Sequence, residues 1–180
     1  MRIITGKYKG RHFDIPKTFK ARPTTDFAKE NIFNVLTGYL DFEGATALDL
    51  FSGTGSITLE LLSRGCSQVV SVELDRDHHR FIQQCLQKLA TQGDGSFVLP
   101  LRGDVFRYVK SCKQQFDLIF ADPPYALKEL PTIPDLIFEK GLLKENGLFV
   151  FEHGKDHDFS SHPHFVEHRS YGSVNFSLFR

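Results

Sequence analysis

At 180 residues, 41% of them hydrophobic, the chain suffices for one α/β domain with a full core and is too short for two. No apolar run approaches the ~20 residues that cross a bilayer, and no N-terminal stretch reads as a secretory leader, so a soluble, cytoplasmic protein without membrane contact is expected. Formal charge balances at zero, but residues 1–22 carry seven cations (Arg2, Lys7, Lys9, Arg11, Lys17, Lys20, Arg22) against Asp14 alone, whereas the remainder carries 15 basic and 21 acidic residues. A cationic arm on an acidic body suits a phosphate-bearing partner. Cys66, Cys85 and Cys112 are widely spaced, which argues for buried thiols over a disulfide framework or a zinc site.

In chain order, residues 2–5 and 11–15 flank Gly6-Lys7-Tyr8-Lys9-Gly10 and predict a β-hairpin, followed by a basic linker from Pro16 to Pro23. Thr24-Thr25-Asp26 supplies N-cap chemistry for a helix running to about Leu40. From residue 45 strand and helix signals alternate. Strands are expected at Ala45–Phe51, Val69–Leu74, Phe97–Leu101, Asp117–Ala121 and Leu148–Glu152. Helices are expected at Ser56–Arg64 and Asp75–Thr91, and near 104–112 and 130–140. Such alternation predicts a mostly parallel sheet covered on both faces. Phe165–Arg169 and Val174–Phe179 have no helix between them, and predict an antiparallel hairpin closing one edge.

Asp49-Leu50-Phe51-Ser52-Gly53-Thr54-Gly55 ends the first of these central strands and opens a helix, where glycines let a ligand approach the backbone. Glu73, followed by Leu74, ends the next strand 18 residues past Gly55, where a carboxylate can take both ribose hydroxyls. Asp104 and Val105 follow the third strand, in place to read an adenine edge. The glycine pattern reaches Thr58 where a dinucleotide fingerprint has a third glycine, and Asp49 would repel a pyrophosphate. An acid beside the turn fits a ligand with cationic groups; S-adenosylmethionine carries a sulfonium and an ammonium. The expected cofactor contacts are therefore Asp49, Phe51, Ser52, Gly53, Gly55, Glu73, Leu74, Asp104 and Val105.

Asp122-Pro123-Pro124-Tyr125 follows the apolar run Leu118-Ile119-Phe120-Ala121. Proline lacks an N–H and fixes φ, so this lip presents carbonyl acceptors beside the Asp122 carboxylate and the flat face of Tyr125. The set suits the exocyclic amine of a nucleobase, with Asp122, Pro123 and Tyr125 as the catalytic group. His153, His157, His162, His164 and His168 crowd 16 residues, yet their spacings match no helical ligand pair and no cysteine lies among them. They read as surface loop histidines, and no metal site is expected.

Taken together, these segments resemble the RsmD-type 16S rRNA guanine-N2 methyltransferases, a family of class I S-adenosylmethionine enzymes. The likeness runs through Met1–Ile4, Gly6–Arg11, Arg22–Asp26 with Lys29-Glu30 and Phe33-Asn34, Asp49–Gly55, Leu62–Gly65, Asp122–Tyr125 and Tyr171-Gly172. It implies a Rossmann-like α/β fold with a seven-stranded sheet, in two parts: a basic RNA-binding extension over 1–23 and the methyltransferase domain over 24–180. It further implies methylation of a guanine amine in 16S rRNA of the small ribosomal subunit by a monomer. Lys7, Lys9, Arg11 and Arg22, with Thr24 and Thr25, are then the expected RNA contacts. Phe27-Ala28 stands where the family usually has Arg-Val. Asp-Pro-Pro-Tyr is shared with adenine-specific DNA methylases, so an adenine methylase and a catalytically idle RNA-binding module stand as the competing readings.

Overall fold

The computed structural model describes residues 1–20, 23–89 and 97–180. Seven strands form one sheet in the order β3-β2-β1-β4-β5-β7-β6. They are β1 (Thr46–Leu50), β2 (Gln68–Glu73), β3 (Phe97–Arg102), β4 (Phe116–Ala121), β5 (Leu143–His153), β6 (Phe165–Tyr171) and β7 (Val174–Phe179). β1 to β5 run parallel, and β7 lies antiparallel between β5 and β6, as the helix-free tail predicts. Among the described residues five α-helices accompany them: α1 (Asp26–Leu36), α2 (Ser56–Ser63), α3 (Arg76–Leu89), α4 (Val105–Ser111) and α5 (Ile133–Glu139).

Side chains alternate across a strand, and here both faces are apolar. Leu118 and Phe120 of β4 join Ala28, Ile32 and Phe33 of α1 in one core. Ile119 and Ala121 join Val105 and Val109 of α4 and Ile133 and Ile137 of α5 in the other. Burial on both faces explains why the central strands read as unbroken hydrophobic runs.

Several boundaries differ from the expected ones. α1 stops at Leu36, not Leu40: Gly38 N–H turns back to the Val35 carbonyl, and Thr37 and Gly38 are weak helix formers. β5 starts five residues early, through a register shift opposite β4 with Asn146 at φ 64°. The segment near 130 begins as a 3-10 turn (Leu130–Thr132) before α5. The N-terminal hairpin is short: Arg2 bridges His12 antiparallel, with Ile3 N–H donating to the Arg11 carbonyl at 3.0 Å and Phe13 N–H to the Met1 carbonyl at 2.9 Å. The same segment also bonds to the body. Ile4 and Thr5 N–H donate to the two Glu60 oxygens at 2.8 and 3.0 Å, and Lys7 N–H donates to the Ser63 carbonyl. Ile3 and Phe13 pack with Leu59, Leu62, Phe81, Cys85 and Leu89 of α2 and α3, a burial of ~1.5–3 kcal/mol for each large apolar side chain.

Candidate functional site

The end of β1 and the loop after it set the first half of the site. Phe51 reverses the chain at φ 59°, a left-handed conformation that stores ~1–3 kcal/mol in a non-glycine residue. Gly53 and Gly55 follow at φ 57° and 84°. A Cβ on Gly55 would stand 2.8 Å from Ile82 Cγ1, so the loop lies directly on α3. Ser52 fastens this turn: its hydroxyl donates to the Asp49 carbonyl at 2.8 Å and accepts from Ser71 at 2.6 Å.

Asp49 is 1% exposed, and its Oδ2 accepts the Thr58 hydroxyl at 2.7 Å. Burial pushes its carboxyl up to about 7, opposed by the Thr58 hydroxyl and reinforced by the charge of Glu73. Glu73 Oε1 takes the Gly53 N–H at 2.7 Å, and Oε2 takes the Asp75 N–H at 2.8 Å. Leu74 beside it is an exposed apolar side chain. Asp104 caps α4 by accepting the Arg107 N–H at 3.0 Å, and the Val105 side chain belongs to the core. Asp49, Glu73 and Asp104 thus gather at one carboxyl edge around a strained glycine turn. The carboxyls of Glu73 and Asp104 at this edge suit a ligand bearing cationic groups and oppose a pyrophosphate, with Asp49 buried behind them.

The lip after β4 forms the second half. Asp122 N–H donates to the Leu50 carbonyl at 3.2 Å, which ties the lip to the glycine turn. Pro123 is buried, while Pro124 and Tyr125 are exposed. The Tyr125 ring lies against Gly154, and its hydroxyl donates to Glu152 Oε2 at 2.8 Å. Burial, the Tyr125–Glu152 bond and the neighbouring acids hold this phenol well above its ordinary range. Asp122 keeps some solvent contact as a residue, but its carboxyl is enclosed by protein and hydrogen-bonded to Glu152. Enclosure first, and then the Glu152 charge, raise the Asp122 carboxyl well above the carboxylate range. The carboxylate expected at the lip is therefore half of an acid pair.

Glu152 was not among the expected site residues. It is 5% exposed and ends the run Leu148-Phe149-Val150-Phe151, just as Asp122 ends the run before it. An acid closing an apolar strand was the available signal. Its second oxygen accepts the Thr24 hydroxyl at 3.1 Å, while Thr25 caps α1 by accepting the Ala28 N–H at 3.2 Å. Both threonines thus have partners within the protein.

Lys7, Lys9 and Arg11 are exposed on the N-terminal segment. Lys7 lies over the Tyr8 ring at 5.2 Å, and Arg11 Nη2 donates to the Lys88 carbonyl at 3.2 Å. Arg22 lies outside the described residues. The histidines do not form one surface loop as expected. His153 is buried at the end of β5, bonding the Ser177 hydroxyl at 2.7 Å, and His168 sits on β6 beside Asn175. Among the described residues, no cluster of three or more His, Cys, Asp or Glu is placed to hold a metal ion. No described helix is long and apolar enough to cross a membrane.

The profile of a family described as Conserved hypothetical protein 95 matches residues 1–180. The chain belongs to this family. YlbH of Bacillus subtilis, whose name carries rRNA methyltransferase as a provisional description, is 37% identical over 159 residues, covering 87% of this chain and 84% of its own. The ribosomal RNA small subunit methyltransferase D of Haemophilus influenzae is 32% identical over 156 residues, covering 87% and 80%. A solved structure of a hypothetical protein from Thermus thermophilus superposes with a TM-score of 0.85 at 26% identity, covering 100% and 99%. The strand order and these likenesses agree on the Rossmann-like class I methyltransferase fold.

Proposed function

We propose that this protein is an S-adenosylmethionine-dependent rRNA methyltransferase that modifies the exocyclic amine of a guanine in small-subunit rRNA. One observation carries the reading. The Asp122–Tyr125 lip is bonded through its first amide to the end of the strand that bears Asp49 and the glycine turn. A methyl-donor pocket and an amine-gripping lip thereby share one sheet edge. Family membership and the rRNA methyltransferase names of its relatives support the substrate class.

In this reading Glu73 takes the ribose hydroxyls, Leu74 packs the adenine, and Asp49 faces the cationic end of the cofactor. S-adenosylmethionine supplies a methyl group made electrophilic by its sulfonium. The chain's own residues handle the base. An Asp122 oxygen accepts an N–H of the guanine amine, drawing the lone pair out of the ring and balancing the charge that develops on nitrogen. Tyr125, pinned by its hydroxyl to Glu152, presents a fixed face for the base to stack on. The base must leave its own stack, which costs a few kcal/mol and least in a loop. Lys7, Lys9 and Arg11 hold phosphates, and such contacts position the RNA without reading it. We further assign a monomer working in the cytoplasm on the small ribosomal subunit or its assembly intermediate, with residues 1–23 as the RNA-holding part.

The test is mapping of labelled methyl groups after incubation with unmodified small subunits, free rRNA and DNA. Label at a guanine amine of 16S rRNA is expected, and the Asp122→Ala variant should bind S-adenosylhomocysteine yet transfer no methyl. Label on DNA adenine, or substantial turnover by the variant, would overturn the reading.

A further inference from the structure

Ala121, the last residue of β4, pairs in parallel with Phe151 of β5, so Asp122 comes off the end of β4 beside Glu152, which is still within β5 and pairs with Phe176 of β7. Their carboxyls are hydrogen-bonded to each other. Glu152 also receives the Tyr125 hydroxyl on one oxygen at 2.8 Å and the Thr24 hydroxyl on the other at 3.1 Å. One proton held between two adjacent carboxyls leaves the pair with a single negative charge, and hydroxyl donors on both Glu152 oxygens favour placing that charge there.

We infer that Glu152 is the terminal proton acceptor of methyl transfer, acting through Asp122. This rests on the methyltransferase reading and adds to it the fate of the proton. As the N–C bond forms and the S–C bond breaks, the amine nitrogen becomes cationic. One of its protons passes to an Asp122 oxygen, and the proton that Asp122 shares moves on to Glu152. The positive charge of the sulfonium ends as the second proton on the pair, whose charge goes from minus one to zero. Glu152 is a positioning residue in the same step, because its bond to Tyr125 orients the ring. Its bond to Thr24 joins this acid to the residue just before the Thr25 cap of α1.

Two measurements decide it. A carbon-detected NMR titration of the side-chain carboxyls in the free protein should show Asp122 keeping its proton well above the ordinary carboxylate range, and moving back toward that range in Glu152→Gln. Ionisation of Asp122 in the ordinary carboxylate range overturns the inference. In turnover assays Glu152→Gln keeps the shape but cannot take a proton, so kcat should fall about 100-fold with KM for RNA and S-adenosylhomocysteine affinity unchanged. Glu152→Asp, which keeps the acid on a shorter stem, should outrank it. A purely structural role predicts the opposite order, since glutamine is the isostere, and equal loss in both variants also refutes the inference. No turnover by the wild-type protein would instead remove the methyltransferase reading, and this inference with it.

Discussion

Replacing Asp49 by asparagine separates what the residue does for stability from what it does for binding. In the unfolded chain this carboxyl ionises near 3.8, and in the folded protein at about 7. Folding therefore takes up a proton between those values, and wild-type stability is lost as pH rises through that window. At 1.36 kcal/mol per unit, the full span is worth about 4 kcal/mol. Asparagine keeps an oxygen for the Thr58 hydroxyl and carries no proton, so its stability lacks this slope. Asp122 also feels the Asp49 charge, which moves the difference the same way. Urea denaturation from pH 4 to 8 should show the two proteins nearly equal at pH 4 and Asp49→Asn more stable by up to about 4 kcal/mol at pH 8. S-adenosylhomocysteine affinity, read by calorimetry, should fall about 10–100-fold in the variant, as expected for losing a hydrogen bond between charged groups. Parallel stability curves for the two proteins would refute a buried, proton-holding Asp49.

Neutralising Lys7, Lys9 and Arg11 together should weaken rRNA binding and flatten its salt dependence by up to three phosphate contacts, while S-adenosylhomocysteine binding persists; unchanged affinity in a filter assay would remove the cationic segment from the interface. Glu60 is fully buried and accepts the Ile4 and Thr5 amides and Arg64 Nε, with Lys29 Nζ 3.6 Å away. Glu60→Ala leaves the buried Lys29 ammonium, already pushed down by burial, without its counter-charge; a loss of ~3–5 kcal/mol in urea denaturation is expected. At Gly6, φ is 98° and a Cβ would stand 2.0 Å from the Ser63 carbonyl oxygen. Gly6→Ala should therefore lift the N-terminal segment from α2, seen as faster proteolysis within residues 1–20, and unchanged protection would contradict that docking.

The alternating strands, the glycine turn after β1 and the acid-and-proline lip after β4 were legible in the chain because each is local. Strand periodicity spans a few neighbours, glycine conformation belongs to one residue, and proline restricts its own φ. Tertiary structure decided what lies far apart in sequence. Thr24 reaches Glu152 across 128 residues, and Ile4 reaches Glu60 across 56. The pairing of Asp122 with Glu152 exists because the sheet seats β4 beside β5 in a particular register, and hydrogen bonds between neighbouring strand ends leave no local pattern. For the same reason the docking of the N-terminal hairpin on the body could not be read locally. Its backbone amides found a buried carboxylate on α2, and no window of sequence contains both.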